Sequence, residues 1–263
     1  MSFDDKVVWI TGASSGIGEA LALAAAERSA RLVLSARREE ELQRVRAACE
    51  RPGDHLVLPL DLAEADGMPA MAARVLDHFG RVDVLVNNGG MTQRSLVAET
   101  ELAVIRRLVE VNFFGAVALT KAVLPSMLER GSGHIVAVSS LAGKFGTPLR
   151  CGYAAAKHAL HGFFDCLRAE VYEQGLRVTL VCPGFVRTKV SLNAVAGDGS
   201  KHAVMDPAVN RGVPPERAAA IILRAIEREQ DEVLFGGKEL MMAHLKRLSP
   251  SLLNRVIRRM KVT

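Results

Sequence analysis

The segment KVVWITGASSGIGEALALAAAE limits the fold more than any other stretch of the chain. Apolar residues run up to Thr11, break at Gly12, pass through Ser14, Ser15, Gly16, Ile17 and Gly18, and then follow a helical pattern. That order reads as strand, glycine turn, helix, the opening of a βαβ unit. Gly12 allows a tight turn. Gly16 and Gly18 let backbone approach a pyrophosphate and let the helix pack on its strand, while the helix N-terminus offers free N–H groups to phosphate oxygens. The spacing is TGxxxGxG rather than the GxGxxG of the usual dinucleotide fingerprint, and a glycine turn that binds nothing is the alternative.

The rest of the chain repeats that unit. RLVLSA, HLVLPLDL, VDVLVNN, HIVAVSS, VTLVCPG and EVLFGG are near-continuous apolar runs separated by helical stretches, including 99–129, the long helix after Cys151 and 215–228. Continuous apolar strands mean burial on both faces. The expected fold is therefore α/β, a single-domain Rossmann-type doubly wound parallel sheet with helices on both faces. Functional residues should gather at the carboxyl ends of its strands, where Gly12, Asn88, Ser140 and Gly184 fall. The segment 187–211 lacks periodicity and is longer than most connections, which suits a substrate-covering loop. Residues 1–237 form the expected catalytic and cofactor-binding domain, and 238–263 a basic C-terminal extension.

Within the helix CGYAAAKHALHGFF, Tyr153 and Lys157 share one face at i, i+4. A phenol with a pKa of about 10 is a poor acid-base group at neutral pH, and a fixed cation nearby favours its phenolate. By itself the pair is equally compatible with a solvated lysine packed along a tyrosine ring.

Together these motifs resemble the short-chain dehydrogenase/reductase family, from about Lys6 to Gly237. TGASSGIG is similar to the family's cofactor loop, Asp61-Leu62 to its adenine-side element, and NNGG at Asn87 to Gly90 to its NNAG motif. Asn112 matches its structural asparagine, Ser140 its catalytic serine thirteen positions before Tyr153, and PGFVRT its nicotinamide-side loop with Pro183, Val186 and Thr188. Gly89 departs from the usual alanine, which should loosen that turn, and the region after Gly237 has no common family pattern. NNGGMTQRSL and SLAGKFGTPL look most like the branch acting on steroid-like, retinoid-like and other lipophilic carbonyls.

The resemblance implies reversible hydride transfer between a nicotinamide and a small-molecule carbonyl or secondary alcohol. Tyr153 would act as acid-base, Lys157 would lower the Tyr153 pKa and hold the nicotinamide ribose, and Ser140 would bond the carbonyl oxygen. Asn112 would support Lys157 through a water, and Asp61 would accept from the adenine amino group, although an Asp after a strand is also a common helix N-cap. A homo-dimer or homo-tetramer is implied as well. A 3-oxoacyl thioester reductase is the alternative enzyme, and a nucleotide-binding regulator without turnover the alternative from another class.

Cofactor choice is read at the end of LVLSARREEE. An acidic residue there would accept from the ribose 2′-hydroxyl and repel a 2′-phosphate. Ala36 stands at that point, followed by Arg37 and Arg38, whose guanidinium donors suit a phosphate unless they merely begin a charged helix. NADP(H) is therefore expected to be preferred, with Arg37 the better candidate and NAD(H) a usable second. Apolar Leu141, Phe145, Leu149, Phe185, Val190 and Leu192 lie beside the catalytic elements as substrate contacts or as core.

The tail concentrates the chain's charge. Between Gly236 and Thr263, Lys238, Lys246, Arg247, Arg255, Arg258, Arg259 and Lys261 oppose only Glu239, so this segment carries +6 of a net +5. Met241, Met242, Leu245, Leu248, Leu252, Leu253, Val256, Ile257 and Met260 interleave at near-helical spacing around Pro250, describing two short amphipathic helices. They could meet an anionic membrane surface, pack on their own domain, or pack on a partner subunit. No aromatic residue follows Phe235, which argues against nucleic acid. Cys49, Cys151, Cys166 and Cys182 form no CxxC pair, so no metal site is expected, and reduced thiols suit a cytoplasmic protein. No apolar run approaches the roughly 20 residues needed to cross a bilayer, and the expected location is cytoplasmic, with peripheral membrane contact through the tail as the alternative to its packing on protein.

Overall fold

The computed structural model describes residues 1–259. Seven parallel strands form one sheet: β1 (Val7–Thr11), β2 (Arg31–Ser35), β3 (Leu56–Val57), β4 (Val84–Asn87), β5 (Gly133–Val138), β6 (Leu176–Pro183) and β7 (Glu232–Phe235). Their spatial order is β3-β2-β1-β4-β5-β6-β7. The direction of winding reverses between β1 and β4, which opens a crevice at the carboxyl ends of these strands.

Alternation along each strand feeds two cores. Val8 and Ile10 of β1 join the core under α1 (Gly16–Ala26), α2 (Glu39–Ala48) and α8 (Pro215–Glu227), the last centred on Ile222 and Ile226. Val7 and Trp9 point the other way, into the core under α3 (Met68–Phe79), α5 (Gly115–Glu129) and α6 (Cys151–Val171). Between α4 (Leu102–Val109) and α5 the chain makes a π-helical segment, Glu110–Phe114.

Two expectations need adjustment. HLVLPLDL contributes only Leu56–Val57 as β3, an edge strand, because Pro59 has no N–H for the ladder. Leu58 and Leu60 still donate to the carbonyls of Leu34 and Ala36, so the extended path continues on either side of the proline. The long loop after β6 contains one short helix, α7 (Pro207–Asn210).

The C-terminal extension folds onto the domain as α9 (Leu240–Leu248) and α10 (Pro250–Ile257). Leu253 is buried with Leu141, Phe145 and Cys182, and Leu240, Met242, Leu245 and Ile257 pack around them. Glu239 fixes the junction by accepting from Phe185 N and Gly237 N at 2.9 and 3.0 Å. One side of the stripe thus packs on its own domain, while Met241, Leu248, Leu252 and Val256 remain exposed. Met260 and Lys261 lie outside the described residues.

His134 of β5 is 2% exposed, bonds Thr179 Oγ1 through Nε2 at 2.7 Å, and is held near pKa 4 by burial. The unfolded chain takes up this proton below about pH 6.5 and the folded chain only near 4. Stability should therefore be lost as pH falls through that window, by about 2 kcal/mol from this residue between pH 7 and 5. Urea unfolding should show a steeper acid loss for the native protein than for His134→Gln; equal slopes would refute the assignment.

Candidate active site

The turn after β1 is built on two left-handed glycines, Gly12 (φ +66) and Gly16 (φ +60). A Cβ on Gly12 would meet Gly89 Cα at 2.8 Å, so the turn presses against the end of β4. Thr11 ties the two together, its hydroxyl accepting from Asn88 N at 3.0 Å and Gly89 N at 2.9 Å. Asn88 Nδ2 donates to Thr11 O at 2.9 Å, which makes Asn88 a brace of the loop as well as part of the cleft wall. Gly18 is not on that wall; it lets α1 lie directly against the Gly12 carbonyl, where a Cβ would stand at 2.2 Å.

One cavity of about 820 Å³ runs from this turn to the start of α6. Ser14, Ser15, Gly16 and Ile17 line it at one end, with Ala36, Arg37, Arg38, Asp61 and Leu62 beside them. Pro183, Val186 and Thr188 face them from the β6 loop, and Asn112, Ser140, Tyr153 and Lys157 stand further in. Asp61 Oδ1 accepts from Ala63 N at 3.0 Å, and Oδ2 meets Arg107 Nη2 at 3.5 Å. In place of an alanine methyl at Gly89, Leu62 Cδ1 leans in to 2.6 Å from where a Cβ would sit, filling the space expected to be loose.

These residues fit a dinucleotide. The cradle keeps its shape only because Gly12 and Gly16 lack side chains, since a Cβ on either would collide with Gly89 or Thr188, and it opens at the N-terminus of α1. Arg37 and Arg38 are exposed and enter no ion pair among the described residues. Both are therefore open to an anionic group at that end.

At the inner end, Ser140 lies two residues past β5 and caps the turn Leu141–Gly143, accepting from Ala142 N at 3.1 Å. Asn112 sits in the π-helical segment, buried, with Nδ2 donating to Met91 O and Leu108 O at 3.0 and 2.8 Å. Its Oδ1 accepts from Met91 N at 3.2 Å. Lys157 is buried and donates to Val138 O at 2.7 Å, and burial lowers its pKa to about 8.

The expectation that Lys157 lowers the Tyr153 pKa is not met in this structure. Burial raises Tyr153 above its usual value, opposed by hydrogen bonding with Ser140 and by the charges of Arg150 and Arg94. The ammonium of Lys157 is engaged by the Val138 carbonyl and lies 5.8 Å from the centre of the Tyr153 ring.

Leu141, Phe145, Phe185 and Val190 line the inner cavity, but Leu149 and Leu192 do not. Leu149 adopts a left-handed φ of +68 and its carbonyl accepts from Ser95 N, so Arg150, the next residue, takes the wall position. Arg94, Arg150 and Asp206 also reach this wall and were not anticipated. Only the position of Arg150, three residues before Tyr153, hinted at one of them.

A seven-stranded parallel sheet with a glycine cradle at its switch point and a Ser-Tyr-Lys group on the inner wall defines a nucleotide-dependent oxidoreductase. A family model described as short chain dehydrogenase matches residues 6–198, and the chain belongs to the short-chain dehydrogenase/reductase family, oxidoreductases acting on CH–OH donors. It is similar to dehydrogenase/reductase SDR family protein 7-like from Drosophila melanogaster, 46% identical over 94% of this chain and 78% of that one. With SDR family member 7B from Danio rerio it shares 42% identity over 97% of this chain and 85% of the other. A short-chain dehydrogenase structure from Streptomyces avermitilis matches with TM-score 0.82 and 34% identity, over 97% of this chain and 98% of that one. A family structure from Burkholderia phymatum in complex with NAD matches with TM-score 0.84 and 25% identity, over 96% of each chain.

Proposed function

We propose that the protein interconverts a lipophilic ketone and its secondary alcohol with NADP(H) in preference to NAD(H), using Tyr153 as the acid-base. The observation that carries this reading is the placement of Tyr153, Ser140 and Lys157 on the same cavity wall that continues into the glycine cradle. Gly12, Ser14, Ser15, Gly16, Ile17, Asp61, Leu62, Asn88, Pro183, Val186 and Thr188 would hold the dinucleotide, and Arg37 its 2′-phosphate. When bound, it supplies or accepts the hydride. Because burial keeps the Tyr153 proton in place at neutral pH, the residue is set to protonate a nascent alkoxide rather than to remove an alcohol proton. Ser140 directs a hydrogen bond to the oxygen where negative charge grows, and Lys157 would hold the nicotinamide ribose. Asn112, packed beside Gly90 near the Lys157 ammonium, supports that lysine through a bridging water.

Initial rates with NADPH and NADH across aliphatic ketones, cyclic ketones and acyl thioesters test the reading. NADPH should be preferred; Arg37→Ala should weaken NADPH use about tenfold, the size of one charge-assisted contact, without affecting NADH. Ala36→Asp should move the preference toward NADH about as far, by repelling the 2′-phosphate. A native protein that already prefers NADH refutes the cofactor assignment, and turnover confined to acyl thioesters would make it a 3-oxoacyl reductase.

The same reading places the protein in the cytoplasm, in peripheral contact with membrane. No helix among the described residues is long and apolar enough to cross a bilayer. Support comes from Met241, Leu248, Leu252 and Val256, which are exposed on α9 and α10 among Lys246, Arg247 and Arg255. Exposed Leu102, Phe114 and Leu128, on α4, the π-helical segment and α5, support a homo-oligomer. Flotation with anionic vesicles should carry the protein at low salt and lose it at high salt, whereas Leu248→Glu should float less at low salt. No flotation at low salt would dismiss membrane contact.

A further inference from the structure

Beyond Tyr153, the inner wall holds a buried cluster of charge. Asp206 Oδ2 meets Arg94 Nη2 at 3.2 Å and Arg150 Nη2 at 3.1 Å, with the three side chains 9%, 7% and 8% exposed. Asp206 Oδ1 is taken by Ala208 N at 2.9 Å. Arg94 Nη1 donates to Gln93 O at 2.7 Å and Thr92 Oγ1 at 3.3 Å, and Arg150 Nη1 to Thr147 Oγ1 at 3.4 Å. Neither Nε has an acceptor among the described residues, although both arginines line the cavity.

Part of this arrangement is structural. Asp206 belongs to the loop after β6, Arg94 to the loop after β4, and Arg150 immediately precedes α6, so the cluster latches three loops together. A single arginine would have balanced Asp206. Two arginines leave one positive charge uncompensated where water is scarce, and a buried charge without a counter-ion is strongly unfavourable. The Phe185 ring, 5.7 Å from the Arg150 guanidinium, is a weak partner and carries no charge. Burial lowers the Arg150 pKa to about 10, which keeps it cationic at neutral pH. Guanidinium forks with free donors match the oxygens of a carboxylate or phosphate. Leu141, Phe145, Phe185, Val190 and Met242 give the cavity an apolar stretch beside them, while Lys189, Lys201 and Glu239 also line it, the Glu239 Oε1 being held by Phe185 N and Gly237 N.

We propose that the substrate is an anionic amphiphile, a ketone carrying a carboxylate or phosphate monoester that Arg94 and Arg150 bind beside the reacting carbonyl. This rests on the reading of Tyr153 as the acid and narrows its substrate class. An uncharged steroid-like ketone would fill the apolar wall and leave the excess charge unanswered.

Matched substrates test it: a long-chain oxo acid against its methyl ester, and a long-chain hydroxyketone phosphate against the same ketone without phosphate. At least one anionic form should exceed its neutral partner about 100-fold in kcat/KM, the pair that does so identifying the headgroup. Arg94→Gln and Arg150→Gln each leave one arginine opposite Asp206, a neutral cluster, and should reduce that preference at least about tenfold. Arg94→Lys should restore part of it, and NADPH affinity should show that each variant is folded. Equal or better use of both neutral ketones overturns the inference while leaving the Tyr153 chemistry standing. Calorimetry on the NADP⁺ complex, with dodecanoate, dodecyl phosphate and dodecanol below their micellar concentrations, needs no turnover. Tighter binding of an anion, weakened by Arg94→Gln, would support the inference even if no ketone is reduced and the proposed reaction fails; an advantage for neither anion over the alcohol would refute it.

Discussion

Tyr153→Phe is expected to lower kcat for carbonyl reduction by about two to four orders of magnitude, the usual contribution of a positioned acid-base group. The substitution keeps the ring against Lys157 and removes only the hydroxyl, so dinucleotide affinity should persist. Sign matters here. Desolvation of the half-buried phenol raises the Tyr153 pKa above its usual value, so the proton is present throughout the neutral range. Reduction should accordingly be level in pH near neutrality, while oxidation of the alcohol, which needs the phenolate, should rise about tenfold per pH unit there. A variant that keeps more than about a tenth of kcat when chemistry limits the rate would remove Tyr153 from the mechanism. An oxidation rate indifferent to pH would contradict the direction of the shift.

The second large effect belongs to Gly18. A Cβ at this position would lie 2.2 Å from Gly12 O, 2.7 Å from Gly12 C and 2.7 Å from Asn88 Nδ2. Two of these neighbours are backbone. Gly12 cannot yield easily, since it is pressed against Gly89 and holds a left-handed φ of +66. Gly18→Ala should therefore displace the turn proposed to hold the dinucleotide phosphates. Dinucleotide affinity should fall at least about 100-fold and stability by about 3 kcal/mol, the upper range for overpacking. Gly67→Ala is the control, because nothing lies within 4 Å of its added methyl; it should stay within about 0.5 kcal/mol of the native protein. Native-like cofactor binding by Gly18→Ala would mean that the turn relaxes in a way this packing does not allow.

Much of the cofactor half was readable because its chemistry is local. Gly12 and Gly16 announce their turn by residue type, and the apolar runs of β1, β2, β4, β5 and β6 announce a sheet buried on both faces. Edges were less readable. β3 reduces to Leu56–Val57 because an outer strand has one partner and Pro59 breaks its ladder, whereas apolar content alone suggested eight residues. The C-terminal stripe showed two amphipathic helices, but period alone could not say what they pack against. Burial of Leu253 with Leu141 and Phe145 assigns one side of the stripe to its own domain.

By itself, the sequence determined the elements whose signals lie within a few residues of one another: the glycine turn, the Tyr153 and Lys157 spacing, and the alternation of strands and helices. Tertiary structure alone decided which distant charges meet. Asp206 is 112 residues from Arg94 and 56 from Arg150, and no periodicity connects them. The direction of the Tyr153 shift was likewise set in three dimensions. A helical spacing places Lys157 beside Tyr153, but the Val138 carbonyl engages its ammonium and burial of the phenol outweighs nearby charge. Desolvation depends on every element around a group, and that sum exists only once the chain has folded.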